Sequence, residues 1–539
     1  MRGGRGAHER FSGGGPVSTL RADVAVVGAG PAGMAAALAA ADLGAQVVLM
    51  DAGRTVGGQI YRRPATASAA AVTPVGPKMP QRLRRLEGLA GIWHLPGVLV
   101  WQAVGVADGT AEVREGLGVD GTAEVFGGFE ADGTTGSGGG GGGDGGGFRF
   151  WLTSAGSGEG AGVEPDQVVA RAVVIATGAN EMVVPFPGWE LPGVTTVGAA
   201  QALLKGQGVV AGRRVLVAGS GPLLLPAAAG LAEAGVRVVG VLEANPVTVG
   251  TLGRVARVAP FTKKAQEAAA YARILGRHRV PIKLGYAVTA AHGDERVTEA
   301  TISRVDRDWR AIAGTERRVR VDAVHASFGF SPALELSRAL GCADLPQPGR
   351  PTAAVWCDGD QATSVPGVFA AGETTGVAGA DVAELEGYLA GAASARYVAK
   401  SRHAAFHKSD QTRAGSGELD LSRLRAALAR ARRFARGLDG LYPWRSGWLG
   451  WPEADTIACR CEEVPWAAIG EAVAAGARDV RAVKGATRCG MGYCQGRMCG
   501  PVVQQAVAAA TGRGLAAVGD LSSRPVLTPV SLGQIAGSA

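Results

Sequence analysis

A glycine-rich loop near the N-terminus constrains the fold of this chain most. It follows the apolar run Val24–Val27 and has the GxGxxG sequence Gly28, Ala29, Gly30, Pro31, Ala32, Gly33. An alanine-rich stretch with helical character comes next. In such a loop Gly28 permits the tight turn, Gly30 lets a pyrophosphate approach the backbone, and Gly33 lets the helix pack close to the sheet. Free N–H groups at the helix N-terminus then face the phosphates, with Pro31 and Ala32 in its first turn.

An acidic residue completes this first unit. The apolar run at 47–50 ends at Asp51, about 20 residues beyond the loop, where an acid binds ribose hydroxyls. A glycine loop alone is a weak signal. A strand, a glycine loop, a helix, a second strand and an acid in this order predict a dinucleotide site.

A second glycine loop follows the apolar run at 215–218. It has Gly219 and Gly221 but carries Leu224 where the third glycine belongs. A leucine there pushes the helix from the sheet or occupies ligand space. Glu243 follows the next strand at the ribose position, which favours NAD over NADP. The fold is therefore of the nucleotide-binding type, and use of NAD(H) or another adenine nucleotide stays open.

Two further glycine turns end apolar runs. Ala176, Thr177 and Gly178 follow one run, and Gly372 and Glu373 follow another, more than 300 residues after the first loop. Together with the first loop they resemble the flavoproteins with two dinucleotide-binding domains, which include glutathione and thioredoxin reductases. In that family the late turn sets an acid beside the flavin ribityl chain. The resemblance implies FAD at the first loop, with Glu373 at that acidic position.

The chain lacks the redox-active cysteine pair that disulfide reductases of this family place beside the flavin. The loop after Asp51, residues 57–62, contains Gln59 but no cysteine, and the second domain has no CxxC sequence. Disulfide reduction is therefore excluded. Gln59 is included among the candidate FAD contacts. We identify no nucleophile–base arrangement and no catalytic residue.

Five of the seven cysteines lie close together near the C-terminus. They are Cys459, Cys461, Cys489, Cys494 and Cys499. An odd number of cysteines, clustered at one end of a chain without an export signal, argues against a disulfide framework. Four thiolates suit a [2Fe–2S] cluster or zinc, and zinc sites prefer paired spacings of two to four residues, which C-x-C does not match.

The cysteine-rich segment resembles the [2Fe–2S] domain of bacterioferritin-associated ferredoxin. The resemblance favours Cys459, Cys461, Cys494 and Cys499 as ligands and leaves Cys489 as a spare thiol that could substitute for Cys494 or Cys499. Zinc, or cysteines with only a structural role, remain as alternatives.

Composition excludes several other classes. The net charge of +8 is mild, and no basic block is interleaved with aromatic residues, so nucleic-acid binding is not expected. No apolar stretch of about 18 residues is uninterrupted, so no membrane span is expected. The first 21 residues have no apolar segment typical of a secretory signal. We therefore expect a cytoplasmic protein.

We predict an α/β fold with two Rossmann-like dinucleotide-binding domains, as in glutathione reductase, and a small C-terminal domain like bacterioferritin-associated ferredoxin. The predicted divisions are a flexible tail at 1–20, an FAD-binding domain at 21–205 and 330–400, an NAD-binding-like domain at 206–329, a linker at 401–454, the [2Fe–2S] domain at 455–520 and a C-terminal tail at 521–539. A glycine-rich insert between strands is expected at about 105–162, because its six-glycine run cannot hold regular structure, and the apolar segment from Phe148 to Leu152 is expected to interrupt it. The linker contains a basic helix at 421–438 and then Tyr442, Trp444, Trp448 and Trp451, which we expect to pack the last domain against the body.

The combined pattern resembles the α-type subunits of heteromeric amino-acid-oxidising flavoenzymes, such as opine oxidases, dye-linked proline dehydrogenases and bacterial hydrogen cyanide synthase. The resemblance implies an electron-relay subunit whose partner, an amine-oxidising flavoprotein β subunit, removes a hydride from the substrate. Electrons would leave to a redox acceptor protein or a quinone. Some members hold FMN at the subunit interface, but no residue here is assignable to it.

Two other functions remain open. One is a stand-alone NADH-dependent flavin and iron–sulfur reductase that serves a ferredoxin-like acceptor; Glu243 favours it and Leu224 opposes it. The other is a structural or regulatory nucleotide site in the second domain.

Overall fold

The computed structural model describes residues 18–64, 79–86, 89–106, 147–155, 165–246, 262–405, 420–521 and 526–533. Most of the predicted N-terminal tail, the six-glycine run and residues 406–419 of the predicted linker lie outside these residues. None of the helices in the described part of the chain is long and apolar enough to cross a membrane.

The N-terminal part of the chain folds around a largely parallel sheet. Its elements are β1 (Thr19–Val27), α1 (Pro31–Asp42), β2 (Val47–Asp51), α2 (Gln81–Arg84), β3 (Ile92–Pro96), β4 (Val98–Val106), β5 (Gly147–Ser154) and β6 (Gln167–Ile175). The strands lie in the order β3-β2-β1-β6-β5-β4. The predicted strands at the first loop are confirmed, and their continuous burial is typical of a parallel sheet covered on both faces.

The apolar segment that was predicted to interrupt the insert at about 105–162 is a strand. Strand β5 lies inside it and pairs antiparallel with both β4 and β6. Phe148, Phe150 and Leu152 alternate along β5 and are buried, as expected for a strand with one face on the core. The glycine-rich part is therefore confined to the connections before and after a core strand.

A second parallel sheet follows. Its region contains β7 (Ala179–Glu181), β8 (Val194–Thr196), α3 (Val197–Gln207), β9 (Arg214–Gly219), α4 (Leu224–Glu233), β10 (Arg237–Glu243), α5 (Thr262–Arg277), β11 (Ile282–Leu284), β12 (Tyr286–His292), β13 (Glu299–Arg304), β14 (Arg317–Arg320) and β15 (Ala323–Ser327). The parallel strands lie in the order β11-β10-β9-β15-β8, and β12, β13 and β14 form an antiparallel sheet. Strand β8 pairs with β15 and so belongs to the second sheet, although it precedes residue 206, where the second domain is predicted to begin.

The chain then returns to the first sheet. The elements are β16 (Phe330–Pro332), α6 (Glu335–Ala339), β17 (Asp344–Pro346), β18 (Ala353–Val355), β19 (Val368–Ala370), α7 (Ala380–Ala405) and α8 (Leu421–Asp439). Strand β19 pairs parallel with β6. Helix α7 packs closely on α1. A Cβ at Gly387 would overlap the carbonyl oxygen of Ala32, and a Cβ at Gly391 would overlap that of Ala36, so glycines at these two positions allow the close contact.

The predicted basic helix is confirmed as α8, but it is not merely a solvated face. Leu428 is buried against the body of the protein. Arg425 forms an ion pair with Asp360, and Arg432 forms one with the buried carboxylate of Glu386. Through this helix, the predicted linker packs on the domain that contains the first sheet.

The last helices and strands of the described chain form the cysteine-rich module. It contains β20 (Ile457–Cys459), β21 (Val464–Pro465), α9 (Trp466–Ala474), α10 (Val480–Thr487), α11 (Gly500–Thr511) and α12 (Leu515–Val518). The predicted packing role of the tryptophans is confirmed: Trp444, Trp448 and Trp451 are buried in an aromatic cluster with Trp309 of the second domain.

The predicted C-terminal tail is partly packed. Leu527 is buried in the core of the first sheet, and its amide donates to the carbonyl of Trp101 at 2.7 Å. The chain therefore runs back from the cysteine-rich module to the N-terminal sheet.

Candidate functional site: two glycine loops and a thiol cluster

The first glycine loop is closely packed on two sides and open on the third. Gly28 has φ +105°, and a Cβ there would overlap the carbonyl oxygen of Ala176. A Cβ at Gly33 would overlap the carbonyl oxygen of Gly28. By contrast, the space beside Gly30 is open: among the described residues, no neighbouring atom lies within 4 Å of the position that a Cβ of Gly30 would occupy. This geometry fits a pyrophosphate that approaches the backbone at Gly30 and meets the N-terminus of α1.

Asp51 connects the end of β2 to this loop. One carboxylate oxygen accepts from the amide of Ala29 at 2.5 Å, and the other accepts from the amide of Gly53 at 2.6 Å. Each carboxylate oxygen has a second lone pair. Asp51 can therefore hold the loop and still accept a hydroxyl at the ribose position.

The segment after β2 covers the same loop. The amide of Gly57 donates to the carbonyl of Ala29 at 2.8 Å. A Cβ at Gly58 would lie 2.9 Å from the Cα of Gly30. Gln59 follows directly, and its side-chain oxygen accepts from Arg62 at 3.0 Å. The predicted residue Gln59 thus lies in a segment that contacts the glycine loop.

The two later glycine turns meet each other. The amide of Gly178 donates to the hydroxyl of Thr374 at 3.1 Å, and the hydroxyls of Thr177 and Thr374 are 3.3 Å apart. A Cβ at Gly372 would stand 2.8 Å from the Cβ of Ala32 in α1. The structure therefore brings the first loop, residues 176–178 and the turn at 372–373 to one place, at the carboxyl ends of β1, β6 and β19.

Sequence reasoning missed the carboxylate that holds the late turn. Glu386 of α7 accepts from the amide of Gly372 at 2.9 Å and from the hydroxyl of Thr375 at 2.8 Å. Its other oxygen accepts from Arg432 at 2.8 Å. Burial raises the pKa of Glu386 and also that of Glu373. No local sequence signal distinguishes Glu386, because its partners lie on other elements.

The second glycine loop has a related but different geometry. Gly219 has φ +134°, and a Cβ there would overlap the carbonyl oxygen of Ser327, as at Gly28. Glu243 accepts from the amide of Gly221 at 3.0 Å and from the amide of Asn245 at 2.9 Å. Burial raises the pKa of Glu243 despite these hydrogen bonds. Helix α4 begins only at Leu224, which is buried.

The five C-terminal cysteines form one cluster, and Cys489 is not peripheral to it. The sulfurs of Cys459, Cys489 and Cys499 all lie within 4.8 Å of one another and are buried. Those of Cys459 and Cys499 are 3.7 Å apart. Cys499 and Cys461 lower the pKa of the Cys494 thiol, so Cys494 lies near both, and Cys461 is exposed. The predicted ligands Cys459 and Cys499 are thus brought together with Cys489, which was predicted to be spare, and the predicted ligands Cys461 and Cys494 lie outside this group of three.

The cluster has the chemistry of a metal site. Hydrogen bonds from Cys489 and Cys499 lower the pKa of the Cys459 thiol and raise the pKa of the two donor thiols, so Cys459 is the thiolate of the three, and the thiolate is the form that binds metal. The amide of Gly490 points at the Cys459 sulfur from 3.4 Å. Four or more thiols at such spacing fit either a [2Fe–2S] cluster or a tetrahedral zinc ion.

Two ion pairs join the cysteine-rich module to the domain that contains the first sheet, and each part supplies one acid and one base. Glu335 of α6 pairs with Arg497 at 2.7 Å, and Arg338 of α6 pairs with Asp520. Arg497 also donates to the carbonyl of Leu527 at 2.8 Å. A cleft of about 410 Å³ lies between the two parts and is lined by these residues.

Comparison with known proteins agrees with this arrangement. The pyridine nucleotide-disulphide oxidoreductase family matches residues 22–387, and the sarcosine oxidase A3 domain matches residues 459–538. An opine oxidase subunit from Agrobacterium tumefaciens (strain Ach5) is 32% identical over 529 residues, which cover 95% of this chain and 91% of that protein. Hydrogen cyanide synthase subunit HcnB of Pseudomonas aeruginosa is 34% identical over 348 residues, 63% of this chain and 71% of that protein.

A solved structure has a similar fold over most of this chain. The crystal structure of L-proline dehydrogenase from P. horikoshii superimposes with a TM-score of 0.60 at 17% identity and covers 98% of this chain and 82% of that one. At this identity the likeness concerns the fold alone.

Proposed function

Because this chain belongs to the pyridine nucleotide-disulphide oxidoreductase family and is related over nearly its whole length to an opine oxidase subunit, we propose that it is the electron-relay subunit of an amine or amino-acid dehydrogenase. It is a flavin-dependent oxidoreductase of the kind that works as one subunit of a heteromeric enzyme. Beyond this family-level function, we propose that the chain relays electrons, holds a [2Fe–2S] cluster and works with a partner that oxidises a C–N bond.

The observation that carries this proposal is the joining of the flavin-type site to the thiol cluster within one chain. Glu335 and Arg338 lie on α6, and their ion-pair partners Arg497 and Asp520 lie on either side of the last helices of the thiol module. Arg338 and Asp344, which pair at 2.7 Å, are only about a quarter exposed. Ion pairs that are partly shielded from water and form a network hold two parts in a fixed orientation better than isolated surface pairs. A relay needs such a fixed separation.

In this proposal FAD is held at the first loop. Gly28, Gly30, Gly33 and the N-terminus of α1 receive the pyrophosphate, and Asp51 accepts from the ribose. Ala176, Thr177, Gly178, Gly372 and Glu373 form the other wall. When bound, FAD accepts electrons in pairs, and a [2Fe–2S] cluster on the thiols passes them on singly. The protein supplies position and shielding from water, and no side chain has to act as an acid–base catalyst.

The partner follows from the same division of labour. The opine oxidase relative is, by its name, one subunit of an oxidase. We propose an amine-oxidising flavoprotein as the partner of this chain, and a redox protein or a quinone as its acceptor. We also propose that FMN binds at the interface with the partner. Separately, we propose that the second domain of this chain begins at β8 instead of residue 206.

One observation favours a second candidate function. Glu243 binds the second loop through backbone amides much as Asp51 binds the first. A nucleotide could therefore bind there, either as NADH that reduces the flavin or as a structural or regulatory ligand. Against the reductase, the amide of Gly221, where the pyrophosphate would approach, already donates to Glu243.

Affinity purification of the tagged full-length chain from its own host tests the main proposal. We expect an amine-oxidising flavoprotein to co-purify, and the complex to reduce an artificial dye with amino acids while the chain alone does not. A chain that purifies alone and reduces dye with NADH would contradict the proposal and support the reductase.

A further inference from the structure

A fifth thiol lies inside the cysteine cluster, where four ligands suffice. Cys489 is fully buried, and its sulfur is within 4.8 Å of those of both Cys459 and Cys499. A [2Fe–2S] cluster takes four thiolates, two on each iron. One of the five cysteines is therefore in excess, and its place in the structure determines what it can do.

Burial divides the cluster into two ends. At the outer end, Cys461 is exposed and Cys494 is half-buried. At the buried end, the sulfurs of Cys459 and Cys499 are 3.7 Å apart. Two thiolates on one tetrahedral metal lie about 3.8 Å apart for a metal–sulfur bond of about 2.3 Å. The pair Cys459 and Cys499 thus has the spacing of two ligands on a single metal.

Cys489 belongs to the buried end. It completes a triangle with Cys459 and Cys499, whereas Cys461 lies at the opposite, exposed end. Its backbone also allows adjustment: Arg488 has φ +64° and Gly490 has φ +82°, so Cys489 sits in a tight turn between the end of α10 and the rest of the loop. A small rotation there moves its sulfur toward either neighbour.

We propose that Cys489 is a reserve ligand for the buried iron and replaces Cys459 or Cys499 when either is lost. The inference rests on the proposed function, since it requires an iron–sulfur cluster. The exchange forms one Fe–S bond from the Cys489 thiolate and breaks one to the departing cysteine, with the proton passing to the thiol that leaves. The cluster keeps its electrons, so no oxidant or reductant is required.

Single and double substitutions test the exchange. Cys499→Ala should keep about two irons and two sulfides per chain, with altered visible circular dichroism and electron paramagnetic resonance signals because the ligand has changed. Cys499→Ala combined with Cys489→Ala should hold no cluster. Cys459→Ala should behave in the same way as Cys499→Ala, alone and in combination. If Cys499→Ala and Cys459→Ala empty the site as completely as the double variants, the proposal is wrong.

The exposed end provides the matched control. Cys461→Ala should lose the cluster whether or not Cys489 is present, because the described residues place no fifth thiol at that end. Retention in Cys461→Ala and loss only on adding Cys489→Ala would mean that Cys489 reaches the other iron, which contradicts the assignment. Flavin content reports separately whether each variant is folded.

A milder variant keeps the test valid if the ligand variants misfold. Cys489→Ala alone should bind a full cluster but release iron to a chelator about tenfold faster, because a bond that opens is no longer recaptured. Cys357→Ala, which removes a free thiol outside the cluster, should release iron at the wild-type rate. Equal release from Cys489→Ala and wild type would overturn the reserve role. Wild type that contains zinc or no metal would instead overturn the proposed function.

Discussion

The two glycine loops follow the same plan and differ in how their helices begin. At the first loop α1 begins at Pro31, so Gly33 lies in its first turn against the carbonyl of Gly28. At the second loop Leu224 stands at the position of Gly33, and α4 begins only there. The expected result of this leucine was a helix pushed from the sheet or a blocked ligand space. The structure instead delays the start of the helix.

The acids differ as well. Asp51 accepts from Ala29, the residue before the open glycine, whereas Glu243 accepts from the open glycine itself, Gly221. The second loop therefore satisfies internally an amide that a pyrophosphate would need. The second glycine loop thus keeps its fold although Glu243 accepts from the amide of its open glycine.

The largest expected effect comes from the third position of each loop. Gly33→Ala should cost about 3 kcal/mol or more and empty the FAD site, because the new methyl overlaps the Gly28 carbonyl. Leu224→Ala should cost about 2–5 kcal/mol by leaving a cavity, with FAD content unchanged. Chemical denaturation and flavin absorbance measure both. Loss of FAD from Leu224→Ala would remove the distinction between the loops.

Substitution of Gly30, the middle glycine of the first loop, should change FAD binding but not stability. Gly30→Ala should leave the Tm of the flavin-free chain within a few degrees of wild type, because its backbone is extended and the described residues leave the space around the new methyl open. FAD affinity should nevertheless fall about a hundredfold, since the methyl stands where the pyrophosphate approaches. Equilibrium dialysis with FAD gives the affinity. Wild-type affinity in Gly30→Ala would show that the pyrophosphate does not lie there.

A smaller effect is expected from the support of the late turn. Glu386→Gln removes the charge that Arg432, Gly372 and Thr375 bind. Hydrogen bonds to a charged group contribute about 1.5–3 kcal/mol each, so stability should fall by about that amount and FAD should bind less tightly. Arg433→Gln, on the same basic helix, serves as the control and should change neither quantity. An unchanged flavin affinity in Glu386→Gln would mean that the turn at Gly372 does not depend on this carboxylate.

The smallest expected effect is on how the stability of the chain depends on pH. Burial raises the pKa of Glu243, so the folded chain binds this proton more tightly than the unfolded chain. That contribution to stability is present at low pH and is lost as the pH rises through the raised pKa. Glu243→Gln removes the titration, so the Tm of the variant relative to wild type should rise from about pH 4 to about pH 8. A Tm difference that does not change with pH would contradict the raised pKa of Glu243.

Much of the fold was predictable because its signals are local. The strands before both loops are continuous apolar runs, and glycines at positions such as Gly28 and Gly219 are required by close backbone contacts. The α/β class and the relation to opine-oxidising subunits, which rest on these local patterns, are confirmed.

The remainder depended on contacts between distant parts of the chain. The apolar segment of β5 could be seen in the sequence, but not its pairing with β4 and β6, and β8 joins a sheet whose other strands come later in the chain. Glu386 acquires its role only when α7 and α8 pack together. The spacing of the cysteines could not show that Cys489 is buried and Cys461 exposed, because burial depends on how the whole module folds.

Whether electrons enter through the second loop or from a partner can be decided by anaerobic mixing of the purified full-length chain with NADH. We expect the flavin and cluster absorbance to stay unchanged with NADH and with NADPH and to bleach fully with dithionite, since the natural donor is a partner protein. Prompt bleaching at micromolar NADH would contradict the relay role and make the second loop a working nicotinamide site.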